Sequence, residues 1–251
     1  MIEELNNKDK QIESSNFSKK IDKIENKILK SLLSFILICL MLIWNIIPNI
    51  ILYILKIDVD TLSNTTKYLI TIINDLLFIS LLTSIYYKTI KDNLYKYFNH
   101  NLKDNLKTSL KYWLVGFIIM LLSNYIIAIV TNGQLAENEE AVREMINLSP
   151  LYMTFQILIY APLTEELIFR KSIKDIFDNK IIYAIISGII FGGLHAISSI
   201  TDLTSLLYLI PYCSLGIVFG FLYAKTDNIF SSITAHAIHN SLALIVYFTS
   251  L

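Results

Sequence analysis

LYMTFQILIYAPLTEELIFR, Leu151 to Arg170, is the stretch whose reading decides the fold. From Leu151 to Leu163 it carries no charge, and then Glu165 and Glu166 stand side by side, followed by Arg170. A soluble strand or helix rarely runs so long without a polar face. The length suits a helix crossing about 30 Å of hydrocarbon. The doubled acid at its end is the feature that needs a reason.

The rest of the chain repeats the apolar theme. Of 251 residues, 54% are hydrophobic and 17% charged, with a mean hydropathy of +0.55. Soluble chains carry about a quarter charged residues. Seven apolar segments are expected at about 31–55, 67–87, 112–131, 151–169, 181–198, 205–224 and 229–250. Continuous rather than alternating apolar runs disfavour a β-barrel. The expected fold is all-α, a polytopic transmembrane helical bundle of about seven membrane helices. An eighth piece, re-entrant or amphipathic, has room in Thr89–Lys111 or Gln134–Leu148. Residues 1–30 read as a polar cytosolic tail and 31–251 as one membrane domain, with 151–251 its catalytic core. No cleavable signal is expected, since Met1–Lys30 is polar and charge-alternating, and no internal repeat or low-complexity block is visible.

Charge orients the segments. Lys and Arg number seven in Met1–Lys30, six in Lys88–Lys111 and four in Arg170–Lys180. Thr131–Pro150 has Arg143 alone against four glutamates. Basic connections stay in the cytosol, so the amino end is expected inside and the carboxyl end outside, in a multi-pass protein of the cell membrane. Zero net charge gives no argument for nucleic acid. Cys39 and Cys213 lie in apolar segments without a metal-binding spacing and read as packing residues. Pro48 reads as a kink, and Asn45 and Asn74 as interhelical hydrogen-bonding residues.

The ionisable residues inside apolar segments are Asp75, Glu165, Glu166, His195, His236 and His239. Charges there are unfavourable by about 2.5 kcal/mol or more, so each is a functional suspect. Asp75 is alone in its segment and reads as a helix contact or cavity residue. Glu166 and Arg170 are four apart, share a helix face and can pair. Glu165 points about 100° away and is left free as a general base. The plain alternative is a charge cluster at the interface. Phe191 and His195 repeat the spacing of four, as do His236 and Asn240, with His239 beside them. Gly188, Gly192 and Gly193 lie on the His195 helix, and Gly216 and Gly220 form a GxxxG on the next, which suits close packing. Counted from turns at Asp178–Asn179 and Asp227–Asn228, Glu165, His195, His236 and Asn240 fall about 12 to 24 Å from the cytosolic side. A shared depth on three helices suggests one site.

In order and on successive late segments, EELIFR fits EExxxR, FGGLH fits FxxxH and HAIHN fits HxxxN. This trio resembles the CPBP family, the CAAX proteases and bacteriocin-processing enzymes, over roughly Leu151 to Leu251. The resemblance implies an intramembrane endopeptidase. Glu165 would activate water, assisted by His195. His236 and Asn240 would stabilise the oxyanion. Glu166 and Arg170 would support the first motif, and Phe191 would shape the cavity, expected to open toward the cytosolic leaflet. The implied substrate is a membrane-associated protein or peptide, such as a bacteriocin or pheromone precursor. No cofactor is preferred. Zinc, on Glu165, His195 and His236, is the alternative. Two other readings stay open: a proton-coupled transporter, and a non-catalytic immunity or adaptor protein.

Overall fold

The structure is a computed structural model. It describes residues 2–99, 102–134 and 136–249, with side chains from Lys23 onward. The polar tail is therefore described as backbone up to residue 22.

The chain is a helical membrane bundle. α1 (Ile2–Trp44) turns at Asn45–Ile46 into α2 (Ile47–Ile54), with Pro48 in the first turn of α2, where a missing N–H does no harm. Asn45 is exposed in the turn, so the expected interhelical hydrogen bond falls to Asn74 alone. The Asn74 side-chain amide donates to the Trp44 backbone carbonyl at 3.5 Å, and the Trp44 indole N–H donates to the Asn74 backbone carbonyl at 2.9 Å. α3 (Asn64–Ile85) starts where Ser63 Oγ accepts from Thr66 N–H. α4 (Tyr87–Asn99) and α6 (Glu137–Leu148) occupy the two stretches that had room for an eighth piece, on either side of α5 (Leu102–Val130). α9 (Lys180–Ala196) is capped by Asn179, whose side chain accepts from the N–H groups of Ile181 and Ile182. α10 (Leu209–Thr226) ends on Asp227 in the left-handed region, φ 49°, and α11 (Ile229–Thr249) follows.

Between α6 and α9 the opening stretch is helical but not one α-helix. α7 (Pro150–Phe155) passes into a π segment at Gln156–Tyr160, returns as α8 (Ala161–Glu165) and opens into a second π segment at Glu166–Ser172. Among the described residues, six helices are long and apolar enough to cross a membrane by length and composition: Lys23–Trp44, Asn64–Ile85, Leu102–Val130, Lys180–Ser199, Ser205–Thr226 and Ile229–Thr249. The seventh expected segment is this interrupted run. π segments inside α-helices concentrate at functional sites.

Hydrogen bonds define the two ends of the bundle. At one, Lys27 pairs with Asp178 at 3.3 Å, Asn93 receives Ile229 N–H and the Asn228 amide, and Lys174 pairs with Asp227. At the other, Tyr68 reaches the Leu148 carbonyl, Glu137 N–H donates to Ser199, and Tyr208 donates to the Gln134 carbonyl. The Lys-rich connections gather at the first end and the acidic α6 at the second. Large apolar side chains such as Phe35, Leu122 and Ile129 are exposed on the outer faces, as suits helices against hydrocarbon.

α9 and α10 pack most closely. A Cβ on Gly188 would overlap the Ile217 backbone, and one on Gly216 would lie 2.9 Å from the Gly188 Cα. Only hydrogen fits at either position. Gly193 is different: a Cβ there meets nothing within 4 Å, so it takes no part in the packing expected of it. Cys39 and Cys213 are free, half-buried thiols.

Candidate active site

The second π segment buries Glu166 and Arg170 completely. Glu166 Oε2 lies 3.2 Å from Arg170 Nε, the pairing expected from their spacing. Arg170 also donates to Ser187 Oγ at 3.1 Å, and Ser187 donates to the Phe169 carbonyl at 2.6 Å. The guanidinium stacks over the Phe191 ring, 4.8 Å from its centre. Ser187 serves one side of the buried guanidinium, while Arg170 Nη2 has no hydrogen-bond partner among the described residues, so the pair is only partly satisfied. Ser187, a small hydroxyl in an apolar helix, was the signal for this partner and carried no weight without the fold.

Glu166 uses its other oxygen on α11. His236 Nδ1 is 3.0 Å from Glu166 Oε1. A carboxylate here can only accept, so Nδ1 carries the proton and Nε2 faces the other way. His195 is fixed similarly: its Nδ1 lies 2.8 Å from the Phe191 carbonyl, again an acceptor, so Nδ1–H donates. Phe191 stacks on His195 with ring centres 4.3 Å apart and meets His236 edge-on at 6.0 Å.

Both exposed ring nitrogens turn toward Glu165. Its Oε2 is 3.8 Å from His195 Nε2 and 3.8 Å from His236 Nε2. These separations exceed a direct hydrogen bond and leave a seat for a small polar group among the three. Glu165 Oε2 is enclosed and has no hydrogen-bond partner among the described residues. An enclosed carboxylate oxygen without a partner is a rare and unfavourable arrangement.

Asn240 completes the site from one turn further along α11. Its Nδ2 donates to the Ile157 carbonyl at 2.8 Å. The π register explains why that carbonyl is free. Ala161 N–H bonds five residues back to Gln156; the next donor in that register would be Pro162, which has no N–H. Asn240 thus satisfies a carbonyl left over by the broken helix and keeps a second amide hydrogen.

A cavity of about 620 Å³ contains Glu165, His195, His236 and Asn240 together in its wall, with Phe191. His239 also lines it, edge-on to Phe117 at 6.3 Å. Its Nδ1 has no hydrogen-bond partner among the described residues. Gln156 is a wall residue that the sequence did not single out. Its amide donates to Asp75 Oδ2 at 2.5 Å and to the Tyr152 hydroxyl at 2.6 Å, while Tyr152 donates to Asp75 at 2.9 Å. Asp75 is therefore a helix contact, buried, that holds a cavity residue in place.

The cavity wall runs from Phe191 and Glu165 to Gln134, Asn138, Glu139 and Arg143. No described residue of the Lys-rich connections 88–111 or 170–180 lines it. It leads to the α6 end, because Glu166, Arg170, Tyr183 and Tyr223 fill the core at the basic end.

Metal fit is a separate question. Zinc ligands bonded at about 2.0–2.1 Å in a tetrahedron stand about 3.3 Å apart. The two 3.8 Å separations are wider, and among the described residues no group of three or more His, Cys, Asp or Glu is placed to hold a metal ion. As they stand, Glu165, His195 and His236 do not fit zinc.

Fold and site together define a polytopic helical membrane protein with an enclosed acid–histidine–amide centre. A family model described as type II CAAX prenyl endopeptidase Rce1-like matches residues 147–242, the span that holds every residue of the centre. The chain is 30% identical over 145 residues to UPF0177 protein YxdF of Lactococcus lactis, covering 54% of this chain and 78% of that one. It is 32% identical over 152 residues to the protein named putative membrane peptidase YdiL of Bacillus subtilis. That match takes in 57% of this chain and 59% of the Bacillus protein, so the chain spans under two thirds of that relative. No solved structure matches. The chain belongs to the CPBP family of Rce1-like membrane proteins.

Proposed function

We propose that the chain is an intramembrane endopeptidase that hydrolyses a peptide bond of a membrane-associated protein or peptide by general-base catalysis. The observation that carries the reading is Glu165 Oε2, enclosed and unpartnered, 3.8 Å from two histidine nitrogens of fixed orientation. Family membership and the Bacillus relative's name support the same class of reaction.

Water between Glu165 Oε2 and His195 Nε2 gives a proton to Glu165 as its oxygen attacks the peptide carbonyl carbon. His195 Nε2, a lone-pair acceptor while Nδ1–H is held by Phe191, orients the second water hydrogen. The resulting oxyanion accepts from the free Asn240 amide hydrogen and from His236 Nε2 in its protonated form. The Glu166 carboxylate on Nδ1 holds the ring so that Nε2 faces this position, as a carboxylate orients a histidine in a hydrolase triad. Glu165 returns its proton to the departing nitrogen as the C–N bond breaks. The products are a carboxylate and an amine, and no step passes through a metal.

The Lys-rich end lies in the cytosol under this reading, which places the amino terminus inside. Comparing the membrane and secreted peptides of cells carrying the native chain with those carrying Glu165→Gln tests the activity. Uncut precursors should accumulate in the variant alone. Identical peptide sets, with equal protein abundance, would overturn it.

A further inference from the structure

We infer that the cavity takes its substrate from the extracytoplasmic side of the membrane, as an exported peptide or the outer juxtamembrane segment of a membrane protein. The inference rests on the peptidase reading for the word substrate; the direction of access stands on geometry and charge.

Two independent observations meet. The cavity wall ends at the α6 end of the bundle, among Gln134, Asn138, Glu139 and Arg143. Glu139 and Arg143 pair at 3.0 Å at that mouth, both substantially exposed. The opposite end carries the Lys-rich connections: seven basic residues in Met1–Lys30, six in Lys88–Lys111 and, Arg170 being buried in the core, three in Lys171–Lys180. The connections at the mouth end are Lys56–Lys67, with two Lys and two Asp, Thr131–Pro150, with one arginine and four glutamates, and the Ala196–Leu209 stretch, which has no Lys or Arg and one Asp. Hydrogen bonds tie each set together, Lys27 to Asp178 at one end and Tyr208 to Gln134 at the other. Such an asymmetry of Lys and Arg in short loops fixes orientation. The basic end is cytosolic, and the mouth faces outward.

The wall also limits what enters. Between mouth and centre it is mainly apolar, with Ile127, Val142, Ile146, Met153 and Leu244. At about 620 Å³ it is too small for a folded domain, whose volume is many times larger, and suits a short extended segment. Gln156, held by Asp75 and Tyr152, and His239 with its free Nδ1 are the polar groups along this path that the proposed reaction leaves unused. An extended backbone entering here would find both.

Single-cysteine labelling decides the point without needing activity. In full-length protein with Cys39→Ala and Cys213→Ala, one cysteine is placed at Gln134 on the mouth, at Ala161 deep in the wall, or at Asp178 at the basic end. Intact cells are treated with a small membrane-impermeant methanethiosulfonate. The expected result is modification at positions 134 and 161 in intact cells, and at 178 only after permeabilisation. Modification at 178 in intact cells, with 134 silent, overturns the orientation. Modification at 134 with 161 reached only after permeabilisation, or not at all, overturns access through this cavity. Ala243→Cys, in the same wall, replaces Ala161→Cys if that variant is low in abundance. Because labelling is blind to catalysis, a failed Glu165→Gln comparison and a failed access experiment are distinguishable.

Discussion

His236 Nδ1 lies 3.0 Å from Glu166 Oε1, and the same ring presents Nε2 to Glu165. Two adjacent acids therefore address one histidine from opposite sides. Glu166, pinned by Arg170 as well, sets the ring; Glu165 looks into the cavity with the ring's free nitrogen. This is why the apolar stretch ends in a doubled acid. One carboxylate is spent on structure so that its neighbour can stand unpaired.

The two acids should fail differently. Glu165→Gln removes the base and leaves the Arg170 pairing intact, so cleavage should be lost with abundance and thermal unfolding unchanged. Glu166→Gln leaves Arg170 buried without its charge partner, a loss of about 3–5 kcal/mol. It should lower the unfolding temperature of detergent-purified protein and reduce the yield. Equal stability and equal activity in the two variants would refute this division.

Asn240 should show a double effect. As an oxyanion donor, its loss should reduce kcat by about 10² to 10³, with a smaller change in KM. As the partner of the Ile157 carbonyl, its loss leaves an enclosed acceptor unpaired, at about 1–3 kcal/mol. Asn240→Ala assayed for kcat, KM and thermal unfolding should show both. A variant that is merely less stable, with kcat intact, would confine Asn240 to the helix break.

Chelation distinguishes the two chemistries weighed from the sequence. Activity of purified enzyme should survive exhaustive chelation, with no stoichiometric metal by elemental analysis. Zinc lost together with activity, and activity restored by zinc, would show that Glu165, His195 and His236 close up from their present 3.8 Å separations to bind it.

The glycines of α9 should separate by position. Gly188→Val would drive a side chain into the Ile217 backbone, prise α9 from α10 and displace His195, so yield and activity should fall together. Gly193→Ala points into open space and should be tolerated within about 0.5 kcal/mol. Thermal unfolding of both variants checks the contrast.

Much of this was legible in the residues. Relations inside a helix depend only on its pitch, so the Glu166–Arg170 pair and the grouping of Phe191 with His195 could be read from spacing. Membrane spans follow from hydropathy because hydrocarbon offers unpaired polar groups nothing. Relations that depend on register were not legible. The π segments were invisible, since an apolar run looks alike in either helical form. With them were hidden the stranded Ile157 carbonyl and the part of Asn240 that answers it. Asp75 stood alone in its segment, yet its partners, Tyr152 and Gln156, lie 77 and 81 residues away.

By itself the sequence determined the helical membrane class, the family, the three motifs and the end of the bundle that carries the positive charge. Those are local or compositional properties, set by transfer of side chains between water and hydrocarbon. Only the tertiary structure decided which imidazole nitrogen faces the acid, that Glu165 remains unpaired while Glu166 does not, and that the cavity leads away from the basic end. These depend on which side chains fill the space between helices. Glu166, Arg170, Tyr183 and Tyr223 close one end by packing, and no pattern along a single helix reports what its neighbours have already filled.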